Sequence, residues 1–361
     1  MLEKGKISPH QFTIMIASFI VGGSILYVPS GLIHSAKQDA WLASILAVVL
    51  GLILVLLFNT LGSSFPNMNL AEYSEKILGK WLGKFVSFMY FSYFFLSTAT
   101  FVRQMGDFII IQLLQETPIL VIHILLIVIM MMAVRYGLEP FSRAIEIFFP
   151  LLFLLFFIFL ISITPMIQFQ QLQPILDNGM KPVIRTAVKS LGTPYLQLAL
   201  FLMIFPAVNQ TIKAKKSFLL GTMIGGSVLT IVTLASILCF GAYFAENQQF
   251  VTYVLALNIN IGGFWQRIEA LMAFIWFTTL YIKITLYFYG SVLCMGQMLK
   301  LKEYKSLTFP LGFITLILSL FINKNIVESD MQAEWWTAFS LPFGLFIPLL
   351  LLIVGKVRKK G

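Results

Sequence analysis

The stretch VGGSILYVPSGL, residues 21–32, interrupts the first apolar run of the chain. Two glycines, a serine and a proline weaken a helix whose only task is to span a bilayer. Unpaired backbone polar groups are expensive there, and non-helical backbone is tolerated only where it is buried in protein or lines a cavity. The stretch therefore reads as a break. Gly22 and Gly23 free the backbone, Ser24 satisfies groups left open, and a half-helix starting near Ile25 aims its amides at an anionic group. Pro29, Ser30 and Gly31 add to the interruption. Close helix packing uses glycines equally well, so the rest of the chain has to decide.

Of the 361 residues, 59% are hydrophobic and only 11% charged, with a mean hydropathy of +0.90. A bilayer core needs about 20 apolar residues per helix. Such runs fall near 11–33, 41–61, 82–105, 118–135, 144–163, 190–209, 217–243, 268–295, 308–323 and 336–355, which makes the chain a single polytopic membrane domain over 1–361. Lys4 and Lys6 before the first run resemble a signal peptide, but the run is too long for one and nine more follow, so a retained span is expected. With the N-terminus inside, 17 of the 25 Lys and Arg fall on the cytoplasmic side and seven outside. That bias places both termini in the cytoplasm. It also explains the net charge of +10 by membrane-flanking lysines, without nucleic acid. Cys239 and Cys294 lie in apolar runs, and His10, His34 and His123 are scattered, so neither disulfides, a metal site nor a cofactor is expected.

The connection lengths carry a symmetry. Spans 1 to 5 are joined by 7, 20, 12 and 8 residues, and spans 6 to 10 by 7, 24, 12 and 12. The second connection is the longest in each set, and each has room for a short interfacial helix: PNMNLAEYSEKILGKW inside and QQFVTYVLALNINIGGF outside. Five is odd, so a repeat over 190–355 is inverted relative to one over 11–163, with 164–189 as the linker. Two inverted five-helix repeats are a transporter architecture with discontinuous first helices. Span 6 is the required counterpart of span 1. It carries Pro194 and Pro206 but no glycine between them, and a break near Leu198–Phe205 is less clearly written.

Lys283 is the sharpest single signal. It stands 15 residues from the start and 12 from the end of its span. Each interface is thus roughly 18–22 Å away, beyond the reach of a snorkelling lysine. An ionisable residue at such depth defaults to function; hydrogen bonds to a neighbouring helix are the structural alternative. Thr279 and Tyr287 share its helical face. Span 3 shows a polar stripe of Ser87, Tyr90, Tyr93, Ser97, Thr100 and Gln104, which looks into the bundle or bonds another helix. Arg103 with Asp107, and Arg143 with Glu146, read as interfacial ion pairs, and His123 as a packing residue. Gly221 and Gly225 read as a helix contact. Spans 1, 3 and 6 hold no Asp or Glu, which disfavours cationic and polyamine substrates and suits a zwitterion. No catalytic motif is present, so an enzyme is not expected.

The run GGSILYVPSGL resembles the first-span motif of the spore germination permease family, the membrane B subunits of nutrient germinant receptors. GLEPFSRAIEIFFP, 137–150, resembles that family's inner loop and fifth span, and ISPHQFTIMI its N-terminus. The resemblance implies a place in the amino acid, polyamine and organocation transporter superfamily, with an all-α, ten-helix, leucine-transporter-like fold broken in helices 1 and 6. It further implies a germinant amino acid or sugar as ligand, the spore inner membrane as location, and an A subunit and a lipoprotein C subunit as partners. Carried onto this chain, the substrate site comprises Gly22, Gly23, Ser24 and Ile25; Tyr90, Tyr93 and Ser97; Leu200, Phe201 and Phe205; and Thr279 and Tyr287. Lys283 takes the place of a coupling ion, since some relatives in the superfamily carry a lysine on span 5 and this chain has none there. The leading expectation is a receptor subunit that senses a neutral amino acid. A proton-coupled or uncoupled amino-acid permease, and an ion or water conduit gated by partners, stay open beside it.

Overall fold

A computed structural model describes residues 5–259, 267–322 and 335–358. Lys4, Lys324, Lys359, Lys360 and residues 260–264 of the outer connection lie outside them. The described residues are helical almost throughout. Seven helices are long and apolar enough to cross a membrane, and three shorter apolar segments, Pro9–Val21, Leu196–Ala207 and Lys305–Phe321, join them.

Helix α1, Pro9–Val21, starts at a capping box in which Ser8 and Gln11 bond each other's backbone amides, with Pro9 in the first turn. It ends at Gly22, which is extended, and Gly23 follows with φ +76°. After the break come α2, Val28–Ala36, and α3, Ala40–Ser64. The half-helix starts at Val28 rather than near Ile25, because the amides of Ser24 and Ile25 both turn back to the Val21 carbonyl at 3.0 Å.

Next come α4, Leu70–Leu78; α5, Lys80–Gln112; α6, Ile119–Tyr136; and α7, Leu138–Ile163. The expected interfacial helix in the first long connection is thus α4, capped by Asn69 and Glu72. The linker 164–189 is not plain loop: it contains two 3₁₀ turns and most of the amphipathic α8, Met180–Ser190. Span 6 begins later than expected. It runs as 3₁₀ over Leu196–Leu200, one α-turn over Phe201–Ile204 (α9), and 3₁₀ again over Phe205–Ala207. Its irregularity is therefore real, although no glycine marks it.

The chain continues through α10, Thr211–Ala245, and α11, Val251–Leu257, which falls in the second long connection. Then come α12, Glu269–Met298, and α13, Thr308–Phe321. The last helix, α14, spans Trp335–Arg358 and holds a π-helical turn at Pro342–Phe346.

Helix α1 packs against α10, and α12 against α5. Gly221 and Gly225 make the first contact possible: a Cβ at Gly221 would stand 2.6 Å from the Thr13 carbonyl, and one at Gly225 2.7 Å from Ile20 Cβ. Arg103 bonds Asp107 at 2.8 Å as expected. Arg143 instead pairs with Glu139 at 2.6 Å, one turn back on its own helix, the favoured order for an i, i+4 pair. Glu146 is left to accept from Gln11 Nε2 of α1 at 2.9 Å.

Candidate functional site

The break in α1 faces α12. A Cβ on Gly22 would collide with the Thr279 carbonyl, and one on Gly23 would lie 3.3 Å from Leu280 and from the Phe101 ring of α5. The two glycines therefore serve both purposes foreseen for them. They release the backbone, and they let α1 and α12 approach at main-chain distance.

One turn along α12 from Thr279 stands Lys283, fully buried. Its Nζ has no hydrogen-bond partner among the described residues. It lies 4.9 Å from the centroid of the Phe19 ring and 4.7 Å from that of Phe101. Neither phenylalanine was singled out by sequence reading. The signal existed: Phe101 lies one turn beyond Ser97 within the α5 stripe, and Phe19 is one turn before the glycines.

Tyr287, one turn further on, completes an aromatic cage. Its ring is 5.3 Å from Phe19, 5.6 Å from Phe101 and 6.3 Å from Tyr93. Phe201 reaches the same cluster through Phe19 at 5.2 Å. The structure thus gathers Gly22, Gly23, Thr279, Lys283, Tyr287, Tyr93 and Phe201 around one centre. Ser24 and Ile25 are buried in the break itself, and Ser24 Oγ finds no partner among the described residues.

Tyr90, Ser97, Leu200 and Phe205 sit at the margin, and Tyr93 links the centre to it. Tyr90 donates to the Phe343 carbonyl at 2.7 Å and Tyr93 to Ser340 Oγ at 3.1 Å, both on α14. The polar stripe of α5 thereby bonds another helix at its lower half. Ser97 Oγ donates to its own helix at Tyr93 O, 2.7 Å. Leu200 packs against Gly290 of α12, and Phe205 against Gly62 of α3 and the Phe12 ring at 6.3 Å.

Both ends of this centre are closed. At one end, the segment before α1 pairs with the end of span 6. The Ile7 amide donates to Ala207 O at 3.0 Å, the Asn209 amide to Ile7 O at 2.9 Å, and Lys6 Nζ to Pro206 O at 3.0 Å. At the other end, α11 covers α2. The Val251 amide donates to Ser30 Oγ at 3.1 Å and Thr252 Oγ1 to Ile25 O at 2.8 Å. Lys37 at the end of α2 pairs with Glu246. At one end the segment before helix 1 is thus tied to the end of span 6, and at the other the break and α2 are tied to α11 and to Glu246.

A family model described as Spore germination protein matches residues 6–327. Spore germination protein KB of Bacillus subtilis (strain 168) is 30% identical over 99% of this chain and 97% of its own length. Spore germination protein YndE of the same strain is 28% identical over 99% and 98%. Among solved structures, MhsT in complex with L-phenylalanine superposes with a TM-score of 0.69 over 98% of this chain and 99% of that one, at 14% identity. A mutant manganese transporter of Eremococcus coleocola superposes with a TM-score of 0.61 over 97% and 81%, at 11% identity. These likenesses show a leucine-transporter-like fold.

Proposed function

The chain belongs to the spore germination protein family, and from that premise we propose that it is the membrane subunit of a nutrient germinant receptor. It is an integral membrane protein related to germination permeases and not to enzymes. In our reading its ten spans form two inverted five-helix repeats, 11–163 and 190–355, with both termini in the cytoplasm and the spore inner membrane as its location. A small germinant, a neutral amino acid first, binds where helix 1 is broken, among Gly22, Gly23, Ser24, Ile25, Thr279 and Tyr287, with Tyr90, Tyr93, Ser97, Leu200, Phe201 and Phe205 shaping its walls. Lys283 adds a charge where sodium-coupled relatives of the fold hold an ion. An A subunit and a lipoprotein C subunit read the resulting shift.

One observation carries this reading: the glycine break of α1 abuts the Thr279 turn of α12 in a fully buried polar centre. Backbone irregularity within a bilayer is tolerated only where it is buried in protein or lines a cavity, and a ligand-binding centre is the use we assign to it here. The L-phenylalanine bound to MhsT supports an amino-acid occupant in this fold.

Binding can signal only if the ligand prefers one of two states. The closures at Ile7–Ala207 and Thr252–Ile25 are the contacts whose making and breaking would separate those states. The transporter neighbours also favour a second reading, a working permease.

Two experiments test the proposal. A thermal-shift screen of the purified protein against amino acids and monosaccharides should yield a solute that stabilises the wild type but not Gly23→Leu. If no solute shifts the melting temperature, the site reading falls. Liposomes loaded with the stabilising solute then decide between receptor and permease: binding without flux supports the receptor, and exchange of labelled solute supports the permease.

A further inference from the structure

Lys283 presents an electrostatic problem that the fold leaves open. A buried ammonium needs an anion or several acceptors, because desolvation costs several kcal/mol per ion. Here Nζ meets two ring faces, at 4.9 and 4.7 Å, and no protein acceptor among the described residues. Cation–π contacts offset only part of the cost. The elements around it bring no carboxylate into contact with Nζ among the described residues. Pro9–Val21 and Leu196–Ala207 contain none. On α5, Asp107 is bonded to Arg103 at 2.8 Å, and on α12, Glu269 is fourteen residues away, about 21 Å along the helix.

The amides that sequence reading assigned to an anion are partly spent as well. Those of Ser24 and Ile25 donate to Val21 O at 3.0 Å each. These two amides of the break are therefore a weaker anion site than the lysine beside them.

We infer that Lys283 is the receptor for the anionic group of the ligand, so that the occupant of this site is a small carboxylic acid or amino acid whose carboxylate displaces the Phe19 and Phe101 rings from Nζ. The inference rests on the proposed binding site and names its specificity-determining residue. It also supplies the differential affinity that a switch requires. The ammonium gains its counter-charge only in the ligand-bound state, and the rings it leaves belong to α1 and α5. A ligand that moved no charge onto Nζ would have no such lever on α1.

The test compares matched pairs in chloride-free buffer: each L-amino acid and its primary amide, with monosaccharides as uncharged probes, read by thermal shift and isothermal titration. The expected result is that an acid binds the wild type while its amide and the sugars do not. K283M should lose about thirtyfold or more in affinity for that acid, as when one partner of a buried charge pair is removed. K283R, which keeps the charge, should retain the preference for acid over amide.

K283M without ligand should melt at or above the wild-type temperature, since an unpaired buried charge has been removed. A lysine serving only as structure would instead leave K283M less stable. Acid and amide binding equally, with K283M unaffected while Gly23→Leu abolishes both, would overturn the inference and leave the site standing. A lysine acting only as an ion surrogate predicts equal losses for acid and amide in K283M, which would also overturn it. Absence of binding by every probe would overturn the inference together with the site.

Discussion

Thr252 Oγ1 donates to the carbonyl of Ile25 across 2.8 Å, tying α11 to the break in α1. The bond exists because of a proline. In a continuous helix the Ile25 carbonyl would accept from the amide four residues on, but that residue is Pro29, which has none. A buried carbonyl needs a partner, and α11 brings one.

Thr252→Val should therefore leave the Ile25 carbonyl orphaned and cost about 1–3 kcal/mol, read as a lower melting temperature in detergent. Thr252→Ser should be near neutral. Pro29→Ala restores an amide, so it should recover part of the loss in the Thr252→Val background. A double-mutant cycle should give a coupling of about 1 kcal/mol. Strict additivity would mean that the proline and the threonine are independent.

Gly22→Ala should separate α1 from α12. Its Cβ has no room against the Thr279 carbonyl, and forced overpacking typically costs about 1–3 kcal/mol. Gly31→Ala, in the same stretch, meets nothing within 4 Å and should leave melting unchanged. Equal effects at the two positions would remove the case for a close approach at Gly22.

That contrast shows what was legible beforehand. The break in helix 1 is written locally, in Gly22, Gly23 and Pro29, because the residues that need conformational freedom are the ones that move. The irregular span 6 is not written that way. The glycines that accommodate it sit on its neighbours: Gly344 of α14 against Leu196, Gly290 of α12 against Leu200, Gly62 of α3 against Phe205. A reading along the chain cannot see a signal placed on three other helices. Lys283 stood out by its depth alone, whereas its two aromatic partners are ordinary phenylalanines until the fold brings α1 and α5 together. The pairing of Arg143 was misjudged because two acids lie within a turn of it and only Glu139 stays on its face, while Glu146 turns to α1.

Gly221→Leu or Gly225→Leu should disrupt the seam between α1 and α10. A Cβ at either position would stand 2.6–2.8 Å from α1 backbone or Cβ atoms, and small residues are what permit such approach in a bilayer. Each substitution should lower the melting temperature and the yield of monodisperse protein, and the ligand-induced shift should fall with them. Gly221→Ala should be milder than Gly221→Leu. A leucine tolerated at either position would show that the seam opens at little cost.

The closure between Ile7 and span 6 makes the final prediction. Lys6 Nζ donates to Pro206 O at 3.0 Å beside the Ile7–Ala207 bond of 3.0 Å. Removing one such part-buried bond should cost about 1 kcal/mol, roughly a fivefold rise in the open population. Cys294 reports on that opening. It is fully buried on α12, with Sγ 3.6 Å from Met203 Sδ in the middle of span 6. In a Cys239→Ser background, maleimide labelling of Cys294 should be slow in the otherwise wild-type chain. Lys6→Ala should raise its rate about fivefold, while Lys6→Arg keeps it slow. Bound ligand should change the rate in both chains if the closure moves with the site. An unchanged rate in Lys6→Ala would show that Lys6 merely decorates the closed end, and that the Ile7 pairing holds it alone.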